Sequence, residues 1–404
     1  MKLIDRPLYL QRLMDVKGTP DIKVITGIRR CGKSKLMESF IKKIKETETE
    51  TETETDANII HINFNLDDFE ALEDRHQLIS YIENKYEENK NNYVFIDEVQ
   101  NCKEFEKAIN SLHAKEKYDI YITGSNAFLL SSDLATLFTG RTFKISVFPF
   151  SFAEFMDYFQ LSDRYEAYNQ YLTVGGMPGA YAYKNESDRL HYIKDVFDTL
   201  ILRDITQKYK IRNSLLLSRV SNFLQDNISN LTSCKNISDT LAKSGAKNDH
   251  KTVSSYLNFL CNAYAFYKIS RFDIRGKKYL STTEKYYLCD HIFRYANLGT
   301  KNPDFGMVME NIVAIELLRR GYEVYVGKLY QKEVDFVAIK NNEKIYIQVS
   351  DNIEDDTTKQ RELDPLLKIK DSYPKLLITR TRYPKYDIDG VLVVDIADWL
   401  LEKA

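Results

Sequence analysis

Eight residues constrain this chain more than any others: Gly27-Ile28-Arg29-Arg30-Cys31-Gly32-Lys33-Ser34. They match the spacing G-x-x-x-x-G-K-[ST] and stand between an apolar run at residues 23–26, which reads as a strand, and a periodic run at 36–44, which reads as a helix. Glycine has no Cβ, so such a turn lets backbone N–H groups approach a phosphate and delivers it to the positive end of the following helix. The expected ligand is ATP with Mg2+. Lys33 is placed to reach the β- and γ-phosphates, and the Ser34 hydroxyl to ligate the metal. Gly27, Arg29, Arg30, Cys31, Gly32, Lys33, Ser34 and Lys35 form the predicted nucleotide-contacting set.

Further strand-like runs at 59–64, 93–96 and 120–123 alternate with helical patterns, which predicts a parallel sheet. The run Tyr93-Val94-Phe95-Ile96-Asp97-Glu98 ends in two carboxylates. Paired with the glycine-rich loop, Asp97 is expected to complete the Mg2+ shell and Glu98 to polarise the attacking water. The strand at 120–123 leads into Gly124-Ser125-Asn126, where Asn126 or Ser125 could sense the γ-phosphate. Residues 46–55 form a Thr-Glu repeat without apolar side chains and read as a solvated, mobile loop.

Beyond the sheet the pattern turns helical over 151–210, with Phe152, Phe155, Met156 and Phe159 at helix spacing and a turn at Gly175, Gly176, Pro178 and Gly179. This reads as a helical lid. Residues 211–298 follow with three helices and two strands, the order of a winged helix. In the third of those helices Val253, Leu257 and Leu260 face a core, which leaves His250, Lys251, Ser254 and Asn258 outward. With Lys247 before that helix and Arg275, Lys277 and Lys278 in the turn between the strands, the module offers contacts to duplex DNA backbone. A protein-interaction or purely structural module is the alternative, and Asp249 and Asp273 dilute the patch. Residues 299–404 read as a second, mixed α/β unit.

The run from Val24 to Phe155, with GIRRCGKS, FIDEVQ, ITGSNA and LFTGRTFKISVFPFSFAEF, and the later GGMPGAY, resembles a prokaryotic AAA+-type ATPase family that carries a C-terminal nuclease-like domain of unknown function. The resemblance covers nearly the whole chain. It implies an α/β fold with an ATPase core over 1–150, the lid over 151–210, the winged helix over 211–298 and a restriction-endonuclease-like domain over 299–404. In Thr139-Gly140-Arg141, Arg141 takes the position of an arginine that contacts a neighbour's nucleotide, with Arg203 as a rival, and either role requires a homo-oligomer. Glu310, Asp335 and the triplet Gln348-Val349-Ser350 resemble the skeleton of a PD-(D/E)XK nuclease. Gln348 is neutral there and Ser350 stands in place of the lysine, so a degenerate site is expected. Lys344 and Lys368 are the candidates to supply a cation from elsewhere.

The formal net charge of -2 gives no global pull toward nucleic acid and leaves only local basic faces for it. The five cysteines are scattered without a C-x-x-C pair, so neither a disulfide framework nor a zinc site is expected, and a reducing cytoplasm fits. No apolar run has the length of a membrane span. The function these features point to is Mg2+-dependent ATP hydrolysis coupled to conformational change on DNA or a partner protein. The alternatives are an ATP-gated nuclease and a nucleotide-binding switch or scaffold.

Overall fold

The computed structural model describes residues 4–49, 56–124, 138, 140–243, 245, 249–299 and 304–402. The chain divides into two compact units, Met1–Val147 and Phe148–Ala404.

In the first unit the apolar runs become β1 (Ile22–Thr26), β2 (Ala57–Asn63), β3 (Asn91–Asp97), β4 (Asp119–Thr123) and β5 (Thr142–Ser146). They form a parallel sheet in the order β2-β3-β4-β1-β5. Every residue of β1 is buried, and β3 is buried after its first residue, as expected where helices cover both faces of a parallel sheet. Val24, Ile62, Val94, Ile96 and Ile122 pack with Leu78, Ile82, Ile109 and Leu112 from the helices Arg75–Asn84 and Phe105–His113. On the other face Phe40, from the helix Lys33–Thr49, meets Phe95 and Tyr121, whose rings stack at 4.8 Å. From β1 the chain passes to β2 on one side, whereas from β4 it passes across β1 to β5 on the other. That reversal lies at the C-terminal end of β1, where open α/β sheets hold their ligands.

The start of the Thr-Glu repeat, residues 46–49, departs from its expectation. The helix that begins at Lys33 continues to Thr49, and Glu48 is buried. Its carboxylate accepts hydrogen bonds from the Tyr93 hydroxyl at 2.6 Å and from Lys17 Nζ at 3.0 Å. A run without apolar side chains can therefore still pack, because a buried carboxylate is tolerated once hydrogen-bonded and paired. Residues 50–55 lie outside the described residues.

The second unit opens with the helix Phe152–Phe159, started by a capping box in which Ser151 and Glu154 satisfy each other's backbone N–H. The segment expected as a winged helix consists of the helices Ser214–Asp226, Cys234–Lys243 and His250–Asn262, followed by β6 (Phe266–Asp273) and β7 (Lys278–Leu288). β6 pairs antiparallel with β7 and, over Arg271–Asp273, parallel with β8 (Glu323–Leu329). The hairpin is thereby continuous with β9 (Lys332–Lys340), β10 (Glu343–Ser350), β11 (Lys375–Thr379), β12 (Tyr386–Ile388) and β13 (Val391–Asp395). The result is one eight-stranded mixed sheet in the order β12-β13-β11-β10-β9-β8-β6-β7. Over Arg271–Asp273 β6 is therefore paired on both edges and is not an open edge there. Among the described residues no helix is long and apolar enough to cross a membrane.

Candidate functional site

The glycine-rich loop leaves the C-terminal end of β1 under steric constraint. Gly27 has φ +147°, and a Cβ there would fall 2.0 Å from the Val147 carbonyl oxygen, so no other residue fits without moving the backbone. Gly32 has φ +98°. The buried Cys31 thiol donates to the Val147 carbonyl at 3.4 Å, and burial pushes that thiol above its ordinary range. Arg6 Nη1 donates to the Cys31 carbonyl at 3.2 Å, so the loop is held from both ends of the unit. Arg29 is half-buried, Arg30 is exposed with φ +63°, and Lys35 pairs with Glu38.

Lys33 folds back onto its own loop, with Nζ donating to the carbonyls of Gly27 at 3.1 Å and Ile28 at 3.2 Å. Ser34 follows, half-buried, in the first turn of the helix. Where β1 gives way to the loop, the Thr26 hydroxyl is buried without a hydrogen-bond partner among the described residues. At the end of β3, Asp97 is 1% exposed and accepts a hydrogen bond from the Thr123 hydroxyl. The N–H of Glu98 donates to the same hydroxyl at 3.2 Å, and Glu98 sits in the left-handed region at φ +55°. Since β4 alone separates β3 from β1, Asp97 lies two strand spacings, about 10 Å, from the start of the loop. Thr123 and Arg6 escaped the sequence reading. For Thr123 a signal existed, a polar residue ending an apolar strand just before Gly124, and for Arg6 there was none.

The other expected residues scatter. Ser125 and Asn126 lie outside the described residues, as do Lys247 and the side chain of Lys278. Arg141 is exposed and immediately precedes β5, whose Thr142 pairs with Ile22 at the start of β1. It therefore stands at the opposite end of the sheet from the loop, a strand length of about 17 Å away. Arg203 is exposed on the helix Arg203–Lys208. On His250–Asn262 the residues Val253, Leu257 and Leu260 are buried, while His250 and Lys251 are exposed and Ser254 half-buried. Arg275 and Lys277 are exposed at the β6–β7 turn.

Glu310, Asp335 and Gln348 do come together, with a cation that the sequence reading counted as missing. Lys285, from β7, is buried with Nζ 2.8 Å from Glu310, 2.7 Å from Glu333 and 3.8 Å from Asp335. Tyr287 donates to Glu310 at 2.6 Å, and Asp335 accepts from the Val349 N–H at 2.9 Å. Gln348 accepts from the Asp335 N–H at 3.3 Å and donates to Glu362 at 2.9 Å. Burial, with Glu310 beside it, holds Asp335 well above the usual carboxylate range, and burial also raises Glu310. Burial alone would lower Lys285, but the three carboxylates outweigh it and the ammonium is held above its ordinary value. The two lysines proposed from sequence are engaged elsewhere. Lys344 lies over the rings of Phe272, Tyr346 and Tyr373, and Lys368 pairs with Asp364. Among the described residues no group of three or more His, Cys, Asp or Glu is placed to hold a metal ion.

Comparison with known proteins gives the first unit its class. A family model described as an AAA domain matches residues 19–156, and one described as a domain of unknown function, DUF8612, matches residues 165–304. With its loop, helix and strand-end carboxylates, the first unit is an AAA domain of the P-loop ATPase class. The chain is 38% identical to an uncharacterized protein of Haemophilus influenzae over 99% of both chains, and it belongs to the same family as that protein. An uncharacterized protein of Methanocaldococcus jannaschii, MJ1544, is 27% identical over 100% of this chain and 91% of its own. The solved structure of Cdc6p from Pyrobaculum aerophilum is 13% identical over 78% of this chain and 95% of its own, with a TM-score of 0.31, too low to bear on the fold. None of these matches supports the nuclease-like expectation for the C-terminal residues.

Proposed function

We propose that the chain binds ATP with Mg2+ at the loop after β1, hydrolyses it in the cytoplasm, and passes the resulting conformational change to DNA or a partner protein. The observation that carries this reading is Lys33. Its ammonium rests on two neutral carbonyls of the loop, acceptors it can exchange for the more strongly held oxygens of a triphosphate. Ser34 and Asp97 would hold Mg2+, and the orphaned Thr26 hydroxyl beside the loop fits a polar occupant. When bound, the metal neutralises charge on the transferring phosphoryl group. Asp97 is held in place by Thr123, and Glu98, anchored through its N–H to the same hydroxyl, presents the carboxylate that orients the attacking water. Arg141, at the far end of the sheet, is too distant to serve its own loop and would act on the nucleotide of a second copy.

A second reading, a nucleotide switch with little turnover, draws on one contact. Gln100 Nε2 donates to the Glu98 carboxylate and occupies the group that would polarise water. ATP turnover by the purified chain, with and without duplex DNA, separates the two. Glu98→Gln should keep ATP affinity and lower turnover by about 100-fold, and Lys33→Ala should lose ATP binding. Tight ATP binding by Lys33→Ala would refute the loop assignment. Negligible turnover in the parent chain that rises in Gln100→Ala would favour the switch.

A further inference from the structure

We propose that the face of the eight-stranded sheet around Tyr279, Tyr325, Lys344 and Tyr373 binds single-stranded nucleic acid, its bases stacking on the tyrosine rings and its phosphates meeting the lysine. The helix Asp356–Leu367 covers part of this face, burying Val334, Val337, Tyr346 and Leu377 together with its own Leu363 and Leu366. Toward the β6–β7 hairpin the same layer ends in a cluster of rings. Tyr279 and Tyr325 are 5.1 Å apart, and Phe272 is 5.6 Å from the first and 6.0 Å from the second. Lys344 Nζ lies 5.3 Å from Phe272 and 5.0 Å from Tyr373, so one cation joins the cluster to a further tyrosine. Tyr279 is 64% exposed and Tyr373 41%, far more than a ring needs to keep its hydroxyl wet.

The charge of this surface favours a phosphate backbone. Among the described residues neither Lys344 nor Arg275 and Lys277 of the neighbouring turn forms an ion pair with a carboxylate. The acids that do touch the rings, Glu323 and Asp371, accept hydrogen bonds from the Tyr325 and Tyr346 hydroxyls at 3.2 and 2.6 Å, which keeps them at ring edges. Exposed tyrosine rings beside a cation that has no carboxylate partner suit splayed bases, whereas a duplex hides its base faces in its own stack.

The test uses the full chain without nucleotide, so it stands or falls apart from the ATPase reading. Fluorescence anisotropy would follow a labelled fifteen-residue oligothymidylate and a duplex of about equal length. The single strand should bind more tightly than the duplex. Tyr279→Ala should weaken it about tenfold, the scale of one lost base stack. Lys344→Gln should reduce the slope of log affinity against log salt by about 0.7, the share of one phosphate. Because Tyr279 is mostly in solvent, its variant should melt like the parent chain, which separates lost binding from lost fold. Binding that is absent, that favours the duplex, or that ignores both substitutions overturns the proposal and leaves the aromatic face to a protein partner.

Discussion

Each unit of this chain sets a lysine near strand-borne carboxylates, and the two lysines are held in opposite ways. Lys33 rests on two neutral carbonyls at 3.1 and 3.2 Å, while Asp97 is bonded to a threonine hydroxyl. Lys285 is clasped by Glu310 and Glu333 at 2.8 and 2.7 Å with Asp335 behind. A hydrogen bond from an ammonium to a neutral carbonyl contributes about 1.5–3 kcal/mol net, and it leaves the positive charge without a counter-ion. A buried ion pair is different, because removing one partner strands the other charge in a poor solvent. On the reading proposed above the first lysine takes an anion, whereas the second already has its anions. The difference also bears on the nuclease-like skeleton, since the ammonium of Lys285 sits among the acids that a divalent metal would need.

The largest test of this contrast is Lys285→Met, which leaves three carboxylates without their cation. The variant should lose about 3–5 kcal/mol of stability at pH 7, read as a lower urea midpoint. Its pH response carries the sharper signature. Glu310 and Asp335 have folded pKa values above their unfolded ones, so the folded state binds protons that the unfolded state has released. The stability these acids contribute is therefore greatest at low pH and declines as pH rises above about 4. Without Lys285 the decline should steepen, and acidifying from pH 7 toward pH 5 should restore part of the loss. A variant as stable as the parent across that range would mean that the ammonium is not the counter-ion.

Thr123→Val probes the open side of the comparison. The substitution is nearly isosteric but removes the hydroxyl that donates to Asp97 and accepts from the Glu98 N–H. Turnover should fall about tenfold, a cost of roughly 1.4 kcal/mol, while ATP affinity changes much less, because the loop and Lys33 are untouched. Equal losses of affinity and turnover would place Thr123 in general folding of the sheet instead.

What the sequence revealed follows the range of the interactions. The loop was legible because its chemistry is local: two glycines, a lysine and a serine within eight residues, between a strand and a helix. The parallel sheet was legible for the same reason, since β3 carries the apolar run Tyr93–Ile96 and β1 the pair Val24-Ile25 just before the loop. Lys285 was not, because Glu310 stands 25 residues on, on the helix Phe305–Arg319, and Glu333 and Asp335 lie on β9, beyond β6 and β8 in the sheet. Periodicity says which face of a strand is buried, but not which charge waits on a strand several places away.

Glu48 marks the other limit and gives the smallest of the predicted effects. A Thr-Glu repeat lacks apolar side chains, yet the helix carries Glu48 inward to the Tyr93 hydroxyl and Lys17. Glu48→Gln keeps an acceptor for the hydroxyl and removes only the charge that faces Lys17, whose side chain is 22% exposed. The loss should be about 1 kcal/mol, a shift of a few degrees in melting temperature, reduced in high salt because Lys17 is partly solvated. Glu48→Leu should cost more than the amide although it adds apolar surface, because it strips the buried tyrosine hydroxyl of its acceptor. If leucine instead stabilised the unit, burial at this position would be ordinary apolar packing, and the hydrogen bond from Tyr93 would count for little.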